Sequence, residues 1–421
     1  MDHPDRVVLH VAGPDRPGVT ARLAEVIAEE HGSLIDIGQS VVHGYLVLSA
    51  IVDIPPNSNT LKRLLFAVGD LGLRLEVSPF GHDRESPRAT VAVAVTLLGS
   101  LRDGKAMAAV TQFMAGRGMN IREIRSIGDA QLEGLELIVD LAPGKSSSAD
   151  IRVLRGELLS LGMTLGVDLA AQRDDIFRRN KRLVCMDVDS TFVRGEFIDE
   201  LADLAGVKAQ VAKITERAMR GELDFRQALN ERVQLLAGVS IEQVHQVADR
   251  AELTSGAERF VQVLKGLGYK IGLVSGGFTI FVDQLKAAFD LDFAFSNELE
   301  VADGKLTGRV RGAVVDAERK AQVLKDMAQA FRFRLAQSVA IGDGANDVLM
   351  LQTAGLGIAF RAKPKLREAA HMSLNNERLD ALLVLMGYNA GGLHALDDRA
   401  DPRPGDDATG RRGRRTHGVR T

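Results

Sequence analysis

The chain has 421 residues, more than one hydrophobic core usually organises, so we expect two to four domains. The composition is that of a globular protein, and a formal net charge of −3 gives no sign of wholesale binding to nucleic acid or to an anionic membrane. Cys185, the only cysteine, excludes an intrachain disulfide and a cysteine-cluster metal site. A polar start, and no apolar run near the roughly 20 residues that span a bilayer, favour a cytoplasmic protein.

The first part of the chain repeats one order of patterns. A strand at 7–11 leads into a turn, a helix from Val19, two strands at 33–42 and 45–52, a second helix and a strand near 73–77. This order is typical of a ferredoxin-like α+β fold. After a polar bridge the order starts again, so the sequence predicts an internal repeat with domains at 5–80 and 88–172.

The pattern changes after residue 180. Apolar strands at 183–186, 270–274 and 338–341 each end in a polar or glycine-rich loop, with helical patterns between them. This alternation predicts an α/β domain at 180–388 with a doubly wound parallel sheet of the Rossmann-like kind. A mostly helical stretch at about 197–255 predicts a cap over the strand ends. Residues 389–421 are rich in Gly, Asp and Arg, which predicts a disordered tail.

The most informative motif is Asp187-x-Asp189-x-Thr191 at the carboxyl end of the first of these strands. Ligands bind at this edge of open α/β sheets. Two carboxylates this close repel, so one is protonated or a hard cation lies between them. An Asx-type turn is the ordinary alternative. An EF-hand is excluded because Phe192 and Ile198 occupy positions that need glycine and glutamate.

Three other segments end at the same predicted edge. Ser275-Gly276-Gly277 offers a hydroxyl and mobile amides that suit a phosphate, and Lys320 offers a positive charge. Asp343 and Asp347 lie four residues apart where a helix begins, so they can face one centre. Together these groups favour chemistry over a coincidental turn.

Residues 182–387 resemble the phosphatases of the haloacid dehalogenase superfamily, and among them the phosphoserine phosphatases. The resemblance implies that Asp187 is the nucleophile, that Asp189 is the acid/base, and that Ser275 and Lys320 stabilise the phosphoryl group. It also implies Mg²⁺ held by Asp187, Asp343 and the main-chain carbonyl of Asp189. Asp347 is expected to orient metal-bound water.

The resemblance further implies O-phospho-L-serine as substrate and the last step of L-serine synthesis. Glu196 is expected to bind the ammonium and Arg232 the carboxylate as a two-point fork. The other implied substrate contacts are Met219, Gly221, Phe225, Ser275, Gly276, Gly277, Lys320 and Asn346. Two alternatives stay open: a phosphatase or phosphotransferase for another phosphomonoester or a phosphoprotein, and an amino-acid sensor with an inactive phosphatase half.

The turn Gly13-Pro14-Asp15-Arg16-Pro17-Gly18-Val19 resembles the ligand loop of ACT domains, and the second copy is degenerate. The resemblance implies an amino-acid effector such as L-serine near Asp15, Gly18 and Gly104, and regulation of the enzyme. The alternative is that both modules only form a homodimer through their sheet edges.

Overall fold

The computed structural model describes residues 5–81, 91–128, 132–145, 147–362, 366–367, 370–389 and 393. The predicted disordered tail therefore lies almost wholly outside the described residues. The chain divides into two compact units, Met1–Ala89 and Thr90–Thr421. Within the described ranges, no helix is both long enough and apolar enough to cross a membrane.

The first unit is a four-stranded antiparallel sheet with two helices. Its strands pair in the order β2-β3-β1-β4, and its core is formed by one apolar face of each helix packed on β1 and β3. The elements are β1 (Asp5–Pro14), α1 (Val19–Glu29), β2 (Ser33–Val42), β3 (Tyr45–Ile54), α2 (Thr60–Asp70) and β4 (Arg74–Pro79). Strand β2 lies at the edge of the sheet and is exposed along its whole length.

The second unit opens with the same fold, which we name the second module. Its strands pair as β8-β5-β7-β6, the order found in the first unit. The elements are β5 (Ala92–Leu98), α3 (Lys105–Ala115), β6 (Asn120–Ser126), β7 (Gly134–Asp140), α4 (Ser148–Leu165) and β8 (Asp168–Arg173). The predicted repeat of a ferredoxin-like fold is confirmed.

A parallel sheet forms the rest of the second unit. Its strands are β9 (Leu183–Met186), β10 (Lys270–Phe278), β11 (Phe293–Ala302), β13 (Ser338–Gly342), β14 (Leu356–Phe360) and β15 (Met372–Leu374). They run parallel in the order β11-β10-β9-β13-β14-β15, confirming the predicted doubly wound sheet. The order reverses between β9 and β13, where such sheets bind ligands.

Helices surround this sheet. Four of them follow β9 and form the cap: α5 (Phe197–Leu204), α6 (Lys208–Met219), α7 (Phe225–Gln234) and α8 (Ile241–Arg250). The others are α9 (Ala257–Gly266), α10 (Thr279–Ala288), α11 (Ala317–Ala330), α12 (Val348–Thr353) and α13 (Ala381–Leu385). A hairpin that the sequence did not predict joins β11 to β12 (Lys305–Arg311). Leu306 of β12 exchanges backbone hydrogen bonds with the segment after α7, so the hairpin supports the cap.

The second module and the parallel sheet share one sheet of eleven strands, because β15 pairs antiparallel with β8. The sequence treated them as separate domains and did not predict this junction. Polar contacts accompany it: Gln172 donates to the carbonyl of Leu385 at 2.7 Å, and the Asp168 carboxylate accepts from the backbone N–H of Asn375 at 2.9 Å. The main hydrophobic core likewise includes Ala170 of β8.

Candidate active site

Asp187 stands directly after β9, a strand whose four side chains are all buried. Its backbone N–H donates to the carbonyl of Ile341 on β13 at 2.9 Å, which fixes it between the two central strands. One carboxylate oxygen accepts from the N–H of Val188 at 2.7 Å, and the other lies 2.8 Å from Nζ of Lys320. Asp187 is therefore held through its backbone by β13 and through its carboxylate by Val188 and Lys320.

The turn after Asp187 aims the second carboxylate. Ser190 has a left-handed φ of 55°, and its N–H donates to the carbonyl of Gly195 at 2.9 Å. This reversal lets Oδ1 of Asp189 accept from the N–H of Phe197, at the N-terminus of α5, at 2.8 Å. Asp189 consequently faces the cap and Asp187 faces the sheet.

The pKa of Asp189 is raised well above its ordinary value. Burial is the largest cause, the charge of Glu196 follows, and Asp187 adds to it, while the hydrogen bond from Phe197 opposes the shift. Two neighbouring negative charges in a site of low polarity favour the neutral acid. Asp189 thus holds its proton more strongly than an ordinary carboxyl group does.

Lys320 is fully buried between two carboxylates. Its Nζ lies 2.8 Å from Asp187 and 2.9 Å from Asp347. Burial alone would lower the pKa of Lys320, but the charges of the two carboxylates outweigh it and raise that pKa. The other oxygen of Asp347 accepts from the N–H of Gly344 at 3.1 Å, so both of its oxygens are already engaged.

Three carboxylates form an acidic cluster at the switch point. Oxygen atoms of Asp187, Asp343 and Asp347 lie within 4.8 Å of one another. Burial, with the charges of Asp187 and Glu196, raises the pKa of Asp343 to about 7, although Thr191 donates to it at 3.2 Å. A site made only of carboxylate oxygens fits a hard divalent cation such as Mg²⁺, which would relieve this repulsion. For Asp189 the resemblance implies the main-chain carbonyl as the ligand, and its carboxylate is not one of the three in this cluster.

The loop after β10 approaches the carboxylates closely. Oγ of Ser275 accepts from the N–H of Gly277 at 2.8 Å, so the serine proton remains available for donation. A Cβ atom at Gly277 would lie 2.9 Å from Oδ2 of Asp189, and one at Gly276 would lie 2.9 Å from the Phe225 ring. A side chain at either position would crowd these groups, so glycine allows the loop to approach the carboxylate and the ring this closely.

A cavity of about 470 Å³ separates the sheet edge from the cap. The predicted residues that line it are Asp187, Asp189, Glu196, Met219, Phe225, Arg232, Gly276, Gly277, Asp343 and Asn346. Lys320 and Ser275 are fully buried and do not line the cavity. Gly221, predicted as a substrate contact, is not part of the cavity wall either. Burial lowers the pKa of Arg232, and the charge of Glu196 opposes that shift. The lining of this cavity thus includes a carboxylate, which can pair with an ammonium group, and a guanidinium, which can pair with a carboxylate.

Some residues that hold the site escaped the sequence analysis. Asn297 on β11 is buried, donates to the carbonyl of Gly276 at 2.8 Å and accepts from the N–H of Val315 at 2.8 Å. Thr254 donates to the carbonyl of Thr191 at 2.7 Å. Each of these residues lies far along the chain from the loop that it supports. The one sequence signal that could have indicated it is a polar residue within an otherwise buried segment.

The cap and the sheet domain are linked across the mouth of the cavity. Arg226 of α7 donates to Oδ2 of Asp316 at 2.6 Å, and Asp316 caps α11, the helix that carries Lys320. The other carboxylate oxygen accepts from the N–H of Arg319 at 3.0 Å. The sequence gave no indication of this ion pair.

The predicted effector positions lie at matching places in the repeat. Gly18 precedes α1 with φ 94°, and Gly104 precedes α3 with φ 73°. Both left-handed conformations favour glycine and leave open space beside the helix N-terminus. Asp15 lies in the same turn as Gly18, and its N–H donates to the carbonyl of Gly44 at 2.8 Å.

Comparison with known families agrees with this division of the chain. Residues 181–355 match the haloacid dehalogenase-like hydrolase family, and residues 5–78 and 91–172 each match an ACT domain family. The solved structure of a HAD family hydrolase from Salmonella enterica serovar Typhi is similar with a TM-score of 0.59 and 30% identity, over 70% of this chain and 98% of that chain. The protein is a haloacid dehalogenase-like hydrolase with two ACT domains.

Closer relatives narrow the class. The phosphoserine phosphatase of Streptomyces coelicolor is 41% identical over 94% of this chain and 95% of its own length. The phosphoserine phosphatase of Mycobacterium tuberculosis is 42% identical over 93% of this chain and 95% of its own length. The chain belongs to the phosphoserine phosphatase family.

Proposed function

We propose that the protein hydrolyses O-phospho-L-serine to L-serine and phosphate with Mg²⁺, through an aspartyl-phosphate on Asp187, as the last step of L-serine synthesis. One observation carries the proposal. The same cavity is lined by the carboxylates of Asp187 and Asp189 and by Glu196 and Arg232, which complement an ammonium and a carboxylate. The residues proposed for phosphoryl transfer and those proposed to bind the amino-acid group therefore line the same cavity.

In the first step, an oxygen of Asp187 attacks phosphorus, and the bond from phosphorus to the serine oxygen breaks. Asp189, whose pKa is raised by burial and by the charge of Glu196, gives its proton to the departing oxygen. Lys320, 2.8 Å from Asp187, and the hydroxyl of Ser275 offset charge on the phosphoryl oxygens.

In the second step, Asp189 takes a proton from a water molecule that attacks phosphorus. The bond between phosphorus and Asp187 breaks, phosphate leaves, and both carboxylates return to their starting states. Asn346 lines the cavity beside Gly276 and is placed to position the phosphate.

Asp187 and Asp343, together with the main-chain carbonyl of Asp189, would hold the Mg²⁺. When bound, the ion supplies positive charge that offsets the nucleophile and the phosphoryl group. Asp347 is already hydrogen-bonded by Lys320 and Gly344, which supports an orienting role rather than direct coordination.

The proposal is tested by measuring phosphate release from phosphoserine, phosphothreonine and a sugar phosphate, with and without Mg²⁺. We expect a clear preference for phosphoserine and dependence on the metal.

Asp187→Asn keeps the shape of the side chain but removes the nucleophile, so turnover should fall by about 10⁴-fold or more while the fold is kept. Asp203→Asn, at an exposed carboxylate on the cap, is the control. Equal rates on the sugar phosphate would contradict the substrate assignment, and an active Asp187→Asn enzyme would contradict the mechanism.

We also propose a homodimer formed through the first unit. Strand β2 is an exposed edge of ten residues, and the side chains of Leu34, Val42, Tyr45 and Val47 on β2 and β3 are 42–63% exposed. Long apolar edges tend to pair with another chain. Sedimentation should give a dimer that Val42→Lys weakens. Val153→Lys, which is equally exposed on α4, should leave it unchanged.

The ACT domains support a proposal of regulation by an amino acid such as L-serine. The left-handed Gly18 leaves the amides at the N-terminus of α1 accessible, and a helix N-terminus favours a carboxylate. Calorimetric titration of the whole protein with L-serine tests it, with Asp15→Ala as the variant expected to bind more weakly. A titration that shows only active-site binding would contradict it.

A further inference from the structure

A second cavity, of about 520 Å³, lies where the second module meets the parallel-sheet domain. Side chains of α4 and β8 form one side, and the ends of α12 and β15 form the other. Its basic lining residues are Arg152, Arg155, Arg173, Arg367 and His371. No carboxylate lines it in the part of the chain that the structure describes, and it shares no residue with the cavity at Asp187.

Little opposite charge faces this second cavity among the described residues: the buried carboxylate of Asp168 interacts electrostatically with Arg367 but forms no ion pair with it. Among the described residues, none of the four arginines forms an ion pair. Arg155 donates through Nε to the carbonyl of Ala171 at 2.8 Å, and Arg367 donates through Nε to the carbonyl of Ala362 at 2.5 Å. Both bonds orient the guanidinium groups and leave their terminal nitrogens for another acceptor. Burial, followed by the charge of Arg152, lowers the pKa of Arg155 to about 10.

Two further polar residues, Ser373 and His371, line the cavity. The hydroxyl of Ser373 is buried, with the residue only 2% exposed, and has no hydrogen-bond partner among the described residues. A buried hydroxyl without a partner is costly, so a missing acceptor is the natural explanation. Nδ1 of His371 accepts from the N–H of Gly357 at 2.8 Å. The neutral ring therefore carries its proton on Nε2, which is a donor.

We propose that this cavity binds a small polyanion with phosphate or carboxylate groups. Four guanidinium groups that form no ion pair with any described residue call for more than one negative charge, and their forks match such oxygens in pairs. The volume is within the range of small-molecule sites. A ligand here touches both α4 of the second module and β15 of the sheet domain, so it connects the ACT domain to the phosphatase.

The test is calorimetric titration of the whole protein with inorganic pyrophosphate and with citrate, in metal-free buffer. Without a divalent cation, the carboxylates at Asp187 and Asp343 repel anions, so binding reports on the basic cavity. The double variant Arg152→Gln/Arg173→Gln removes two exposed charges. The control, Arg74→Gln/Arg309→Gln, removes two exposed charges that line neither cavity.

We expect one site for at least one of the two anions, with binding about tenfold or more weaker in the first variant and unchanged in the control. The proposal is overturned if neither anion binds. It is also overturned if both double variants weaken binding equally, because the anion would then respond only to the net charge of the protein. Phosphatase activity plays no part in this readout, so the result is independent of the function proposed above.

Ser373→Ala provides a second, independent measurement. Removing a hydroxyl that has no partner should leave the melting temperature of the unliganded protein unchanged or slightly higher. The same variant should bind the anion several-fold more weakly, because a donor to the ligand is lost. If Ser373→Ala binds the anion as tightly as the unmodified protein does, the anion does not contact this hydroxyl, and the inner end of the cavity is not part of the proposed site.

Discussion

The carboxyl group of Asp189 owes its raised pKa to its surroundings. Burial contributes most to its raised pKa, and the charges of Glu196 and Asp187 add to it. Glu196 lines the cavity and is the residue that we propose to bind the substrate ammonium. One side chain can therefore serve both recognition and the protonation of the acid.

Replacing Glu196 with Gln should lower the pKa of Asp189, because one of the negative charges that raise it is removed. The first step needs Asp189 protonated, so activity is lost as the pH rises through that pKa. The basic limb of kcat/KM, which reports the free enzyme, should move to lower pH. Steady-state rates across a pH series provide the measurement.

The matched control is Glu200→Gln, an exposed carboxylate on α5, the helix that begins directly after Glu196, and not among the groups that shift the pKa of Asp189. It should leave the profile in place. An unchanged basic limb in Glu196→Gln, with only KM raised, would mean that Glu196 binds substrate without tuning the acid.

The sequence predicted the acids and the phosphate-binding loop of the site because each follows a strand end in a short motif. It did not predict Asn297, which looks like any polar residue of a strand until the fold places it between Gly276 and Val315. The same holds for the pair Arg226 and Asp316, which are 90 residues apart. Supporting contacts of this kind exist only after the strands have been arranged.

At the scale of elements, the apolar runs of the sequence predicted which segments form strands. They did not predict which strands pair with each other. The apolar runs at 183–186, 270–274 and 338–341 became β9, β10 and β13, as predicted. The hairpin of β11 and β12 was missed, because its side chains alternate between buried and exposed and resemble a surface segment. Strand β15 has only three residues, too few for a pattern, and its pairing with β8 depends on packing that no local signal records.

The connection from β8 to β9 is anchored by a buried ion pair. The side chains of Arg178 and Glu136 on β7 are each 1% exposed and form a charge-assisted hydrogen bond. Arg179 also reaches Glu136 at 3.2 Å. Burial, with the charge of Arg179, lowers the pKa of Arg178 to about 10, so the guanidinium stays charged. Glu136 is the main carboxylate that compensates the charge of Arg178, and Asp174, at 3.3 Å, is a second.

Glu136→Gln should destabilise the protein by roughly 3 kcal/mol, because it leaves a buried guanidinium with little compensating charge. Urea unfolding followed by circular dichroism measures the change. Glu157→Gln is the control, since its partner Arg117 is 38% exposed and such surface pairs contribute below about 1 kcal/mol. Equal losses in the two variants would show that the buried pair has no special weight.

At the scale of the whole molecule, the second module is part of the catalytic half. Its sheet continues into the parallel sheet, and Leu98, Ile127 and Ala170 belong to the main hydrophobic core. The carboxylate of Asp168 accepts from two groups of Asn375, at 2.9 and 2.7 Å. The first unit, in contrast, has a core of its own.

Two truncated chains should therefore behave differently. A chain that starts at Thr90 removes one complete unit and should melt at the temperature of the corresponding transition in the full protein. A chain that starts at Arg182 removes a module of the same fold but exposes the edge of β15 and deprives Asn375 of its carboxylate partner. Loss of these hydrogen bonds and of shared core should lower its melting temperature by about 5 °C or more. Calorimetry of both chains decides the matter, and equal melting temperatures would mean that the sheet junction adds no stability.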